Sequence, residues 1–204
     1  MKQEERTSLT RERIIKAAMR EFGVKGYAGT TLNAICGEGG IAKGLFYHNF
    51  SGKDTLYLAC VDQCFAGLRA YLGEQAETGG LQVCMKLRFR YFAEHPLCAR
   101  IFFEAVLQPP PELAAEIRTC KREFDAFNKK IYQSALSGLT LRDGVTEADA
   151  LDYYEMMQEM FNGYYSSPAY AGKDFQTIMA DHEERLAKLV DFMLYGIAER
   201  RGQE

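Results

Sequence analysis

Within ten residues, the run Ile41-Ala42-Lys43-Gly44-Leu45-Phe46-Tyr47-His48-Asn49-Phe50 collects groups suited to touching a nucleic acid duplex. Lys43 offers an ammonium to a phosphate or a guanine edge, Gly44 lets the backbone approach bases, and Leu45 fits a thymine methyl. Tyr47, His48 and Asn49 can donate to phosphates. Burying Ile41, Phe46 and Phe50 on one side of a short helix leaves these six facing outward. The competing reading is a merely solvated helix face, but an outward Leu and Tyr beside glycine are poor residues for that purpose.

Such a surface needs a scaffold, and the flanking pattern supplies one. Apolar residues at helical spacing over residues 10–24 (Ile14, Ala18 and Phe22, with Ile15 and Met19) predict a first helix, which Gly23 and Gly26 terminate near Tyr27. A second, short helix starts with Thr31 as N-cap, buries Leu32, Ile35 and Cys36, and stops at Gly39 and Gly40. The third begins near Ala42, which lacks the capping side chain of a Ser or Thr. Three helices, the last two joined by a tight glycine turn, make a helix-turn-helix, the arrangement that seats its final helix in a major groove. Glycines 37, 39 and 40 make this turn unusually permissive.

From Lys53 a strongly helical segment leads into the remainder of the chain without a flexible linker. Further helices are predicted over residues 81–93, 96–107, 112–137, 146–165 and 174–199, with no strand-like alternation. Pro96 and Pro111 suit first-turn positions, and Thr146 with Asp149 reads as a capping box. The fold class is therefore all-α: an N-terminal three-helix domain (residues 1–54) and a larger helical regulatory and dimerisation domain (residues 55–204).

The run Gly26-Tyr27-Ala28-Gly29-Thr30-Thr31-Leu32, then Ile35, then residues 40–50 as quoted, then Lys53-Asp54, closely resembles the TetR family of bacterial regulators. The resemblance covers about residues 9–60. It implies that Thr31 is a phosphate-contacting helix start, that Lys43, Gly44, Leu45, Tyr47 and His48 form the DNA-reading surface, and that Lys53 is a phosphate clamp opening the fourth helix. Asn49 stands where histidine is common, and Ala42 departs from the usual Ser or Thr. The resemblance further implies double-stranded operator DNA as partner, a small-molecule effector, and a homodimer built from the last two long helices.

The first of those helices carries Tyr153, Tyr154, Met156, Met157, Met160, Phe161, Tyr164 and Tyr165, too many large side chains for one apolar stripe. It is expected to face both the core and a second subunit. An effector pocket is expected among Phe65, Phe89, Phe92, Phe102, Phe103, Phe124, Phe127, Met157 and Phe161, which suits a largely apolar or aromatic molecule; ordinary core is the equal alternative. His95, Glu104, Gln108, Asn128 and Asn162 are the polar groups able to orient it.

Composition narrows the remaining choices. The net charge of −3 conceals a basic N-terminus: residues 1–56 hold nine Lys/Arg against six Asp/Glu, and the rest holds sixteen against twenty-two. No apolar stretch is long enough to cross a bilayer, and the charged N-terminus is unlike a secretory leader, so a cytoplasmic protein without membrane contact is expected. The six cysteines, Cys36, Cys60, Cys64, Cys84, Cys98 and Cys120, sit in helical segments and are expected to be reduced and mostly buried. Cysteine-based redox sensing through Cys60 and Cys64 is the alternative to an effector. Zinc binding by this pair is poorly supported without a second Cys/His pair. No phosphate loop, nucleophile elbow or paired-histidine motif is present, so neither an enzyme nor a cofactor is expected.

Overall fold

The computed structural model describes residues 3–170 and 172–196. Its regular elements are all helical: α1 (Gln3–Gly29), α2 (Leu32–Gly39), α3 (Lys43–Asn49), α4 (Lys53–Glu94), α5 (Pro96–Leu107), α6 (Ala114–Ser137), α7 (Glu147–Tyr165) and α8 (Phe175–Tyr195). Single 3-10 turns at Pro111–Leu113 and Pro168–Tyr170 precede α6 and α8. The expected all-α class is the one observed.

Local chemistry accounts for most boundaries. Thr31 Oγ1 accepts the Ala34 N–H at 3.2 Å and starts α2. The Thr146 hydroxyl and the Asp149 carboxylate cap one another's backbone to start α7, and Asp174 accepts the Thr177 N–H to start α8. Pro96 opens α5 in the first turn, where a missing N–H costs nothing. Two boundaries differ from expectation. α1 does not end at Gly23 or Gly26 but resumes for another turn after a kink at Gly26 (φ 70°, ψ 177°). The helices expected on either side of residues 73–80 are one element, α4, interrupted by non-helical backbone at Gly73 and Gly80.

The chain forms two compact units, dividing between Tyr71 and Leu72, between Phe89 and Arg90, and between Asp125 and Ala126. The first unit joins α1–α3 to the start of α4, to α5 and to the first half of α6. Its core buries Ile14, Ala18, Phe22, Ile35, Phe46, Leu56 and Tyr57 essentially completely. Phe22 and Tyr27 pack against the Tyr57 ring at 5.0 and 4.9 Å. Phe65, Phe92, Phe102, Phe103 and Phe124 fill the rest of this core with successive ring contacts of 4.8 to 5.5 Å.

In the second unit, Tyr132, Leu136, Tyr154, Leu186 and Val190 form the apolar centre, with Tyr132 and Tyr154 stacked at 4.3 Å. A polar network is buried in the same unit. Arg88 donates to both oxygens of Glu183 at 2.8 and 2.9 Å, and the His182 ring spans Glu183 Oε1 and Asn162 Oδ1 at 3.1 Å each. Burial alone would raise the Glu183 carboxyl, but the Arg88 guanidinium and His182 outweigh it and hold the group at about 2.

Candidate nucleic-acid interface

The α2–α3 turn is built from the end of α2 outward. Gly40 adopts the left-handed conformation (φ 56°, ψ 42°) that ends a helix at low steric cost when no Cβ is present. Its N–H donates to Gly37 O at 3.2 Å, and Ile41 N–H donates to Cys36 O at 2.8 Å. Arg13, projecting from α1, then donates to Gly39 O from Nε (3.0 Å) and Nη2 (2.8 Å), and to Gly40 O from Nη2 (2.7 Å). The permissive glycine turn is thus stapled by a guanidinium, assisted by an ion pair between Arg20 and Glu38 at 2.8 Å. Sequence reasoning missed Arg13; the orphan carbonyls at a glycine-ended helix called for a donor, but nothing local said which one.

α3 leans on two aromatic anchors. Phe46 is 1% exposed and Phe50 is buried, with Arg11 stacked 4.3 Å from the Phe50 centroid. Ala42 provides no side-chain cap. The opposite face carries Lys43, Gly44, Leu45, Tyr47 and His48, all exposed, with Leu45 at 40% and Tyr47 at 58%. Around Gly44 the space is open, for a Cβ there would meet nothing within 4 Å. These five side chains and Thr31 therefore lie at the surface of one small unit.

Two of the expected contact residues are engaged internally. Asn49 donates its amide to Leu45 O at 2.8 Å, closing the last turn of α3. Lys53 donates from Nζ to Tyr27 O (3.0 Å) and Thr30 O (3.3 Å), and sits 4.0 Å over the Tyr27 ring. Its ammonium caps the end of α1.

The residues expected to line an effector pocket are distributed over both units. Phe65, Phe92, Phe102, Phe103 and Phe124 are packed on one another in the first. Phe89, Phe127, Met157 and Phe161 belong to the second, where Phe89 is 64% exposed. Of these, Phe161 borders an open cleft of about 470 Å³ lined also by Asp181, Glu184, Arg185, Lys188, Leu189 and Phe192. Glu104 and Asn162, two of the polar groups expected to orient a ligand, are committed to Tyr27 and Tyr57 and to His182 respectively.

All six cysteines are free thiols, and all but Cys120 are buried. Burial pushes the Cys60 thiol up to about 12, the opposite of what a reactive thiolate requires. Among the described residues no cluster of three His, Cys, Asp or Glu side chains is arranged to hold a metal, and no helix is long and apolar enough to cross a membrane.

Comparison with known proteins places this geometry. The sequence model for "Bacterial regulatory proteins, tetR family" matches residues 14–60. The uncharacterised HTH-type transcriptional regulator YerO of Bacillus subtilis is 46% identical over 52 residues, 26% of this chain and 18% of that protein. The HTH-type transcriptional repressor AcnR of Corynebacterium diphtheriae is 26% identical over 186 residues, 90% of each. The chain spans about half or less of the length of the first curated relatives that it matches. Among solved structures, the transcriptional regulator FadR from Bacillus subtilis, in complex with stearoyl-CoA, superposes with a TM-score of 0.64 at 16% identity, over 92% of this chain and 99% of that one.

Proposed function

Because the chain is a TetR-family transcriptional regulator and not an enzyme, we propose that it is a ligand-responsive repressor that reads operator DNA through α3 and releases it on binding a small, largely apolar or aromatic effector. One observation carries the DNA-reading assignment. The outward half of α3 holds Lys43, Leu45, Tyr47 and His48 around an unobstructed Gly44, while Phe46 and Phe50 hold the helix from behind. Thr31 supplies a second polar group at the start of α2, and the functional domain is residues 1–54, with residues 55–204 forming the regulatory body.

The operator, on this reading, is bound by a homodimer. Tyr153, Met156, Met160 and Tyr164 recur along α7 at helical spacing and are all exposed, as are Phe192 and Tyr195 on α8. A continuous apolar stripe of this kind suits burial against a second copy. M160E is expected to shift a dimer towards monomer in sedimentation at micromolar concentration; a wild-type monomer under those conditions would refute the assembly. The cytoplasm is the compartment in which such a regulator meets its DNA.

For the effector, two features support an apolar or aromatic molecule: the phenylalanine cluster of the first unit, and the fold shared with FadR, which binds stearoyl-CoA. The DNA assignment is tested by K43A and Y47A. Each is expected to weaken binding to a duplex selected by the wild-type chain by about 1–3 kcal/mol without altering the circular dichroism spectrum. Wild-type affinity in both variants would remove α3 from the interface.

A further inference from the structure

The kink at Gly26 leaves the Tyr27 N–H without a helical acceptor, and α5 provides one. Glu104 accepts it on both carboxylate oxygens, at 3.2 Å (Oε1) and 3.0 Å (Oε2), across 77 residues of sequence. The same Oε2 accepts the Tyr57 hydroxyl of α4 at 3.0 Å. The fit is close on the other side too: a Cβ on Gly26 would lie 2.6 Å from Glu104 Oε1.

Tyr27 is tied at every polar atom. Its hydroxyl donates to Asp54 Oδ1 at 2.6 Å, and its carbonyl accepts from Lys53, which also reaches Thr30 O. Thr30 in turn donates to Gly26 O at 2.8 Å and immediately precedes the Thr31 cap of α2. A closed circuit thus runs from α5 through Tyr27 to the first turn of α4 and to the start of the helix-turn-helix. All of it lies in one compact unit.

We propose that Glu104 is a positioning residue for DNA binding: a latch by which α5 fixes the last turn of α1, and with it the angle at which α2 and α3 are presented. This rests on the assignment of α3 as the DNA-reading helix. A carboxylate is the group that can satisfy a kink-exposed N–H and a buried phenol together, and a helix that shifts relative to α1 withdraws it from both. Displacement of α5 then becomes loosening of the recognition helix, without any residue of α3 being touched.

Three substitutions in the full chain test the latch against a duplex selected by the wild-type protein from a randomised library. E104L removes the acceptor, E104D keeps the charge but withdraws it by one methylene, and E104Q keeps an acceptor at full length. E104L and E104D are expected to bind at least about tenfold more weakly, the loss of hydrogen bonds to a charged acceptor. E104Q is expected to stay within about threefold of wild type, on the same scale. Backbone amide exchange should accelerate at Tyr27 in E104D, ahead of amides in the core of α4. If E104L does not fold, E104D against E104Q gives the same decision. Affinity in E104D within twofold of wild type, or a Tyr27 amide as protected as in wild type, overturns the proposal. A wild-type chain that selects no duplex overturns the DNA reading on which it rests.

Discussion

Arg88→Met probes the buried charge network of the second unit. The Arg88 and Glu183 side chains are only 6% and 7% exposed, so neither can turn to water when its partner is lost. Holding a carboxyl at about 2 instead of its ordinary 4.5 corresponds to roughly 3 kcal/mol of preference for the ion, most of it owed to the guanidinium that donates to both oxygens. Removing that donor strands a buried charge, for which about 3–5 kcal/mol of destabilisation is expected. In R88M/E183Q the charge is gone and an acceptor for His182 remains, so about 2 kcal/mol or more should return. Urea unfolding followed by circular dichroism, at one protein concentration and pH 7, measures all three proteins.

The pH dependence sharpens the test. In the wild type the Glu183 carboxyl is depressed, so its contribution is complete above about pH 4.5 and is lost as the pH falls towards 2. His182 is held neutral by burial, with Glu183 opposing and Arg88 reinforcing that effect. Its contribution is likewise present above about pH 6.5 and declines as the pH falls below it. Wild-type stability should therefore fall on acidification. In R88M burial acts on Glu183 without its partner and raises the carboxyl, so the gap to wild type should narrow as the pH drops from 7. A cost for R88M under about 1 kcal/mol at pH 7, or a gap that widens on acidification, would refute the reasoning.

Elsewhere the structure makes two further predictions. A42S adds a capping hydroxyl to α3, whose first turn has none, and should raise stability by about 1 kcal/mol, seen as a higher urea midpoint, and tighten duplex binding. In native protein a thiol reagent should modify Cys120 and leave Cys60 and Cys64 untouched until unfolding, because these two are buried and the Cys60 thiol is pushed up to about 12. Rapid labelling of Cys60 in folded protein would revive redox sensing.

Helix positions were legible because their signals are local. Thr31, Pro96, the Thr146–Asp149 pair and Asp174 each act within one turn, and the spacing of Ile14, Ala18 and Phe22 reports the buried face of α1 directly. The end of α1 was misplaced because packing prevailed over propensity. Burying Tyr27 against Phe22 and Tyr57 draws the helix onward past two glycines that would otherwise stop it. Contacts that bridge distant segments leave no such trace. Arg88 and Glu183 are 95 residues apart, and Tyr27 and Glu104 77 apart. From sequence, Glu104 and Asn162 were simply polar residues in apolar helices, available to a ligand; their partners exist only once the chain has folded.

The same point bears on the DNA-reading surface itself. Lys53 and Asn49 have residue types suited to phosphate contact, yet each spends hydrogen bonds on the protein's own carbonyls. An ammonium has three donors, and two of those on Lys53 point at Tyr27 and Thr30, so its charge is fixed at the junction of α1, α2 and α4 before any DNA arrives. The side chains left without such duties are Lys43, Leu45, Tyr47 and His48, all on a seven-residue helix with no N-terminal cap. A helix this short has little stability of its own. Its orientation is therefore delegated to Phe46 and Phe50 beneath it, to Arg13 at the turn before it, and to the Tyr27 junction. A mutation at any of these sites acts on DNA recognition through geometry, whereas one at Lys43 or Tyr47 acts through contact. The two classes separate by whether changing the base sequence of the duplex changes the size of the defect.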